Sequence, residues 1–468
     1  MLAAEKSVAV PHELMERVFD ARRQSDALFN LVRENFLYER PIPERHRIIF
    51  YLGHLEAFDW NLLNGAFGLK SVHPEFDRLF AFGIDPVGGG LPSDLPSDWP
   101  DVSVVRDYVS NIRNSLDTKL DKVILEPHFR TESRTDFRTD NGFSLRTLLN
   151  VAIEHRLMHA ETLSYMLHQL PLHTKVRPNA EQAASPNLTG LPVAHRMVNV
   201  PTGVVTLGLA RDAKEFGWDN EYEAHTIAVP AFDIDRYKVT NRQYLEFMAA
   251  GGYETRGFWN DDDWTWKTAG GISHPLFWKK DGVHRWFYRA MFDELPLDEV
   301  ALDWPVYVSQ AEASAYTRWA GKSLPTEAEW QRAAYGTVDG NARAYPWGNE
   351  TLNAEFNHEF VKRFGNFDFQ RWDPVAVNAF PEGQSAFGVH DMLGNGWEWT
   401  STVFGPFPGF EPFPFYRGYS ADFFDGRHFI MKGGSARTAA CMLRPTFRNW
   451  FQAHYQYVYA GFRCVSRG

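Results

Sequence analysis

The sequence predicts an α+β chain in which a four-helix bundle is followed by a loop-rich domain of mixed strands and helices. Three observations predict it. Apolar residues recur at helical spacing through the first ~170 residues. A stretch rich in Pro, Ala, Ser and Asn without periodicity covers 171–195. Beyond it, short β-like runs alternate with Gly-, Pro- and Asn-rich loops over about 270 residues. The 468 residues suit two or three domains at roughly 100 to 200 residues each, here a bundle over 1–175, a linker over 176–195 and a second domain over 196–468.

Each element has its own signal. Leu14, Val18, Ala21, Leu28, Leu31 and Val32 lie at helical spacing within residues 12–38, which end before Pro41 and Pro43 and predict the first helix. A second is expected from about Glu44 to Leu69. Gly, Pro and Asp crowd residues 83–101, a long loop by composition, and a third helix follows from about Val102 to Leu125. The fourth starts at Ser144, whose hydroxyl suits an N-cap, and runs to Leu170. A bundle accommodates a long crossing loop between its second and third helices. In the second domain VNVPTGVVTLGL and HTIAVPAFDIDRYKVT read as strands, and NRQYLEFMAAG and SQAEASAYTRWAG as helices.

Hydrophobic residues at 44% and charged residues at 23% exclude disordered, collagen-like and coiled-coil classes. A net charge of -11 with no basic stripe argues against a nucleic-acid partner. Two cysteines cannot build a disulfide framework, and the first residues carry acidic groups where a signal peptide needs an apolar core, so a cytoplasmic protein is expected, as a monomer or small homo-oligomer. Apolar runs fall short of the ~18 residues that cross a membrane. Aromatic residues reach 15%, with 16 Trp and 37 Phe, which suits an irregular β core or a pocket walled by aromatic faces.

In the fourth helix His155 and His159 lie four residues apart, one turn from each other on one face, where both imidazoles reach a single ion. Glu154 and Glu161 are close enough in sequence to orient an imidazole N–H. The second helix offers His54, flanked by Tyr51, Leu52, Leu55 and Phe58, so its ring is expected on a buried face. His46 and His73 fall at helix ends or in loops and are weaker candidates. Facing helices of a bundle commonly supply interior metal ligands, and the three histidines together read as a three-His site with open positions. Imidazole alone does not choose among zinc, iron, nickel and copper. Zinc would activate water, whereas ferrous iron with vacant positions would take substrate and O2 together.

The bundle with His54 and the H-x-x-x-H-x-E run from His155 to Glu161 resembles the DinB-like domain of the ergothioneine-type sulfoxide synthases. The second domain is similar to their partner module, which has the C-type-lectin-like fold of the formylglycine-generating enzyme. The segments that carry the likeness are FGWDNEYEAH (216–225), YKVTNRQYLEF (237–247), LPTEAEWQRAA (324–334), YPWGNE (345–350), GVHDMLGNGWEWT (388–400), KGGSARTA (432–439) and LRPTFRNWFQAHYQYVYAGFR (443–463). The resemblance covers nearly the whole chain. It implies Fe(II) held by His54, His155 and His159, with Glu161 behind them, O2 as cosubstrate, and hercynine, the Nα-trimethyl betaine of histidine, as the molecule whose imidazole carbon receives a chalcogen atom. A trimethylammonium group has no hydrogen-bond donor, so aromatic faces suit it. Trp450 and Asn449 of FRNW fall at the family's betaine-contacting positions, and Arg448 beside them pairs either with a substrate carboxylate or with a buried Glu.

The departures from the family pattern bear on the chalcogen donor. Relatives often have Gln before the second His of the pair, where this chain has Met158. Some grip the charged ends of γ-glutamylcysteine with an Asp and an Arg four residues apart after FRNW. Here those positions are Phe451 and Tyr455, which disfavours that donor. Where relatives place a catalytic tyrosine after WEWT this chain has Phe404 and Phe407, and where others place a tyrosine pair after the second helix it has Gly83 and Ile84. The pattern resembles the selenoneine synthases of the family, which couple hercynine to a selenosugar. That resemblance implies carbon–selenium bond formation, with Tyr455, Tyr457, Gln452 and Tyr416 as partners for sugar hydroxyls and Tyr455 and Tyr416 as catalytic candidates. Cysteine or another thiol is the alternative donor. The copper chemistry of the formylglycine-generating enzyme needs two closely spaced cysteines after the GGS turn, but Cys441 lies six residues past Ser435 and Cys464 lies 23 further on. A binding module whose bundle holds zinc structurally is the remaining alternative. Trp397 and Trp399 are expected in the core, and Asp391 and Asn395 to hold loops or substrate.

Overall fold

Burial of apolar helix surface builds the first unit, and two of its helices are buried on nearly every side. In a computed structural model that describes residues 9–81, 91–125, 144–178, 193–282, 285–349 and 363–467, the chain divides into two units, Met1–Pro178 and Asn179–Gly468. Gly83, Ile84 and most of the linker lie outside the described residues.

The first unit contains α1 (Ala9–Phe29), α2 (Ile48–Leu63), α3 (Pro74–Leu79), α4 (Val102–Leu125) and α5 (Leu145–Gln169). Leu14, Val18, Ala21 and Leu28 are buried, α1 packs on α5, and α2 packs on both α4 and α5. α1 ends earlier than its apolar spacing predicts because the backbone leaves the helix to pair with the chain beyond α5. There the Val176 amide donates to the Leu31 carbonyl at 2.7 Å and the Arg33 amide to the Thr174 carbonyl at 3.1 Å. α2 starts later than Glu44 because the amides of Ile48 and Ile49 are satisfied by the carbonyls of Glu39 and Leu37. It ends before Leu69 at a run containing Gly68, whose φ of +60 is left-handed. The short α3 falls where no helix is expected; Pro74 opens it, and His73 Nδ1 accepts from the Phe76 amide at 3.2 Å. α5 begins as its sequence predicts, with Ser144 Oγ accepting from the Thr147 amide at 3.1 Å.

The second unit carries α6 (Asn241–Ala249), α7 (Asp261–Ala269), α8 (Gln310–Trp319) and α9 (Glu327–Tyr335). Reciprocal Thr240–Gln243, Ser309–Glu312 and Thr326–Glu329 capping pairs open α6, α8 and α9. α7 and α9 are additional to the two helices expected here. Three small sheets accompany a four-stranded one. They join β1 (Met197–Val200), β4 (Phe232–Asp235) and β12 (Val465–Ser466); β2 (Gly203–Leu207) and β3 (His225–Val229); and β5 (Trp278–Lys280), β6 (Trp286–Arg289) and β7 (Glu294–Pro296). The larger sheet orders β10 (Asn449–Gln452), β9 (His428–Lys432), β8 (Trp397–Val403) and β11 (Ala460–Gly461), with Trp450 opposite Ile430 and Trp399 opposite Met431. Trp330, Phe367, Met392 and Leu393 pack with Val200, Phe232 and Ile234 in the core. The class is α+β, a helical unit followed by a sheet-containing one.

Candidate metal centre

Three imidazoles from two helices converge in the first unit. His54 of α2 and His155 and His159 of α5 are all buried, and each offers a ring nitrogen within 4.8 Å of the other two. Among the described residues no other His, Cys, Asp or Glu cluster does so. The Nε2 atoms of His155 and His159 are 3.1 Å apart, the roughly 3 Å that separates neighbouring ligands about 2.0–2.1 Å from one ion. His54 Nδ1 lies 2.7 Å from the Phe80 carbonyl and donates to it, which turns Nε2 outward as the lone pair, and that buried Nε2 has no hydrogen-bond partner. Phe50 stacks on the His54 ring at 4.8 Å and Phe58 on the His155 ring at 3.4 Å.

The rings are poised as ligands rather than as cations. Burial pushes the His54 imidazole down to about 4, the Phe80 carbonyl opposes, and the charges of His46 and Arg156 add to the lowering. Burial likewise holds His155 and His159 well below the ordinary value. Neutral imidazoles whose ring nitrogens converge within 4.8 Å fit a divalent transition-metal ion.

The remaining bundle candidates divide. Met158 is half-buried. Glu161 is buried. His46 stacks on Phe50 at 4.1 Å, and His73 caps α3. The sequence gives no signal for the Phe80 carbonyl, a backbone group, although Gly53 inside an apolar helix is a trace of it. A Cβ there would lie 2.6 Å from the Phe80 ring.

A buried ionic cluster also escaped sequence reasoning. Arg156 Nη1 donates to Glu56 Oε1 at 3.0 Å, and its Nη2 donates to Asp59 Oδ2 at 2.6 Å and to the Leu55 carbonyl at 3.1 Å. Arg113 of α4 joins Glu56 at 2.7 Å and Asp26 at 2.8 Å. Burial pushes the Glu56 carboxyl up, but the charges of Arg156, Arg113 and Arg22 outweigh it and hold Glu56 at about 2. At Asp59 burial prevails over Arg156 and the carboxyl is raised.

In the second unit the FRNW segment leads into β10, whose Trp450 sits in an aromatic cluster. Phe404 stacks on Trp450 at 4.1 Å and 6°, with Tyr419 at 5.5 Å and Phe423 at 5.7 Å from the same indole. Asn449 Oδ1 accepts from the Trp450 amide at 2.9 Å. Phe407 packs edge-on against His225 at 4.6 Å. Arg448, left open between a substrate carboxylate and a buried Glu, pairs with Glu327 at 3.0 and 3.2 Å, donates to the carbonyls of Asn220 and Gly405, both at 3.1 Å, and lies over the Phe407 ring at 3.9 Å. Four of the five donors of a guanidinium are thereby used within the fold, so Arg448 is corrected from a substrate contact to a brace of this segment. Phe451 stacks on Tyr455 at 4.9 Å and 12°, Tyr457 lies 5.2 Å from Tyr455, and Tyr416 lies 5.5 Å from Tyr419. Gln452 is exposed. Trp397 and Trp399 are core residues, Trp399 Nε1 donating to the Val308 carbonyl at 2.8 Å. Asn395 holds loops. Its amide donates to Val375 O at 3.0 Å and Asp391 Oδ2 at 2.8 Å, and its Oδ1 accepts from the Val375 amide at 2.9 Å and Asn366 Nδ2 at 3.2 Å.

The two units define a chain in which a helical domain carrying a buried histidine triad is followed by a sheet-containing domain. Residues 20–163 match the DinB superfamily, and residues 184–468 match the Sulfatase-modifying factor enzyme 1-like domain. Hercynine oxygenase of Mycolicibacterium thermoresistibile is 32% identical over 469 residues, spanning 97% of this chain and 95% of that protein. Hercynine oxygenase of Mycolicibacterium smegmatis is 35% identical over 400 residues, 83% of each. Ergothioneine biosynthesis protein 1 of Neurospora crassa is 28% identical over 499 residues, 92% of this chain and 55% of that protein. The chain belongs to the hercynine oxygenase family.

Proposed function

We propose that this chain is an O2-dependent oxidoreductase that binds Fe(II) through His54, His155 and His159 and joins a chalcogen donor to the imidazole carbon of hercynine. The observation that carries the reading is the convergence of three buried imidazoles within 4.8 Å, in a chain 32% identical over 97% of its length to a hercynine oxygenase. Fe(II) held by His54, His155 and His159 would supply the redox chemistry that activates O2 beside the substrate. The protein's part is to keep the three rings neutral by burial and to fix the His54 tautomer through Phe80. Trp450, with Phe404, Tyr419 and Phe423 around it, offers π faces suited to the trimethylammonium group, and the Asn449 amide a polar neighbour. Met158 stands where relatives have a Gln contact to the substrate ring.

The donor we propose is a selenosugar, and the product a carbon–selenium bond. Support comes from the stacked Phe451–Tyr455 pair, which brings no charge to the positions where relatives grip γ-glutamylcysteine. A largely neutral sugar needs hydroxyl and amide partners, for which Tyr455, Tyr457, Gln452 and Tyr416 are suited, and Tyr455 or Tyr416 would serve as proton donor. Glu161, buried on the same helix as His155 and His159, would support the imidazoles from behind. No described helix is long and apolar enough to cross a membrane. A cytoplasmic monomer or small homo-oligomer completes the reading.

The test is a competition under air. Fe(II)-loaded protein with hercynine and equal selenosugar, cysteine and γ-glutamylcysteine should give the selenium product first. Preference for cysteine would overturn the donor, and absence of both O2 uptake and any coupled product would overturn the reaction.

A further inference from the structure

We infer that Arg156 is a positioning residue for the metal centre, its guanidinium setting the register of α5 on α2 and so the spacing of His54 from His155 and His159. The inference rests on the metal-centre reading above and extends it to a residue that touches no substrate.

The argument begins with tolerance. Metal–ligand distances must hold to about ±0.2 Å, while a helix rises 1.5 Å per residue. A slip of α5 along α2 by a fraction of a residue therefore takes the triad outside coordination range. Apolar packing between helices is non-directional and fixes such a slip poorly. A planar guanidinium fork fixes it well, because each N–H has a direction. Arg156 follows His155 directly and contacts α2 at three points within the five residues after His54, the Leu55 carbonyl next to that ligand, Glu56 and Asp59. Arg156 is 2% exposed and Glu56 1%, so solvent does not loosen the pair. Arg113 binds the same Glu56 oxygen from α4, which stops the carboxylate from following Arg156. A buried ion pair is weak evidence for stability and is best understood as a device that specifies register.

The test compares Arg156→Lys with Asn150→Ala in the full chain. Lys keeps the charge and replaces the fork by a single ammonium, whereas Asn150→Ala removes the 3.1 Å tie from α5 to Arg17 of α1 and leaves α2 untouched. Fe(II) affinity is read by chelator competition under argon, alongside the thermal midpoint without metal. Arg156→Lys should fold and lose about 10–100-fold in affinity, as changes behind a ligand shell do. Asn150→Ala should lower the midpoint with affinity unchanged. A neutral triple variant, Glu56→Gln, Asp59→Asn and Arg156→Met, covers the case in which Lys does not fold, and it too should bind metal more weakly. Equal affinity in wild type and in whichever Arg156 variant folds overturns the positioning role. A wild-type chain that binds no Fe(II) overturns the metal-centre reading instead, which separates the two failures.

Discussion

His54 and Phe80 are joined by a single hydrogen bond of 2.7 Å, from ring Nδ1 to a main-chain carbonyl, and it decides which nitrogen of that ring faces His155 and His159. The carbonyl is presented at the C-terminal end of α3, and the Phe80 ring lies against the bare backbone of Gly53.

Gly53→Ala should therefore disturb the centre from the position directly before His54. The added methyl would meet the fully buried Phe80 ring at 2.6 Å, and overpacking of this kind costs about 1–3 kcal/mol. Metal affinity should fall by about 10–100-fold as the Phe80 carbonyl shifts. Denaturant midpoints and chelator competition measure the two effects separately, and an unchanged affinity would show that the carbonyl does not orient the ring.

The metal-free protein should weaken in mild acid. Unfolded, His54 titrates near 6.5, and folded at about 4, because burial disfavours its cation. The unfolded chain thus binds more protons between those values, so this contribution is fully present above about pH 6.5 and is lost as pH falls toward 4. The loss is roughly 3 kcal/mol for this ring. His155 and His159 act in the same direction. Thermal midpoints of chelator-treated protein from pH 8 to 5 read this out, and a flat profile would contradict it.

Removing Arg448 should destabilise the second unit. Arg448→Met leaves Glu327 buried without its partner, which costs on the order of 3–5 kcal/mol. Because Arg448 also lies over the rings of Phe407 and of Phe404, which stacks on Trp450, the hercynine KM should rise more than kcat falls. Adding Glu327→Gln should recover most of the stability. A single variant as stable as wild type would place the brace elsewhere.

Donor choice should move with two residues. Phe451→Asp combined with Tyr455→Arg replaces a stacked neutral pair by the acid and guanidinium that relatives use, and should raise coupling of γ-glutamylcysteine relative to selenosugar. Product masses from a mixed-donor incubation give the ratio, and an unaltered ratio would separate donor choice from this pair.

Much of the bundle was legible because helices are local. Ser144, the apolar spacing of α5 and the His155–His159 interval all lie within one continuous segment. The same locality explains where helix ends were misread. The early end of α1 depends on Thr174 and Val176, some 140 residues away, and no window of sequence contains both partners. The third histidine of the cluster was found from its apolar neighbours, while Phe80 and Glu56 were not, since one acts through a carbonyl common to every residue and the other through arginines in α4 and α5. In the second unit α9 carried a readable sign, the Thr326–Glu329 capping pair, in a segment whose short length gives little periodicity. The pairing of Arg448 with Glu327 spans 121 residues and needed the fold.

The four bonds around Asn395 have a bearing on how the protein ages. Asparagine followed by glycine is the pair most prone to spontaneous deamidation in a flexible chain, where the next amide nitrogen attacks the side-chain carbonyl. Here that nitrogen, in Gly396, donates to the Gly434 carbonyl at 3.2 Å, and the Asn395 side chain is saturated and fully buried. Chemical decay at this point is thereby tied to opening of the loop that leads into β8, so anything that keeps this unit folded also extends its shelf life.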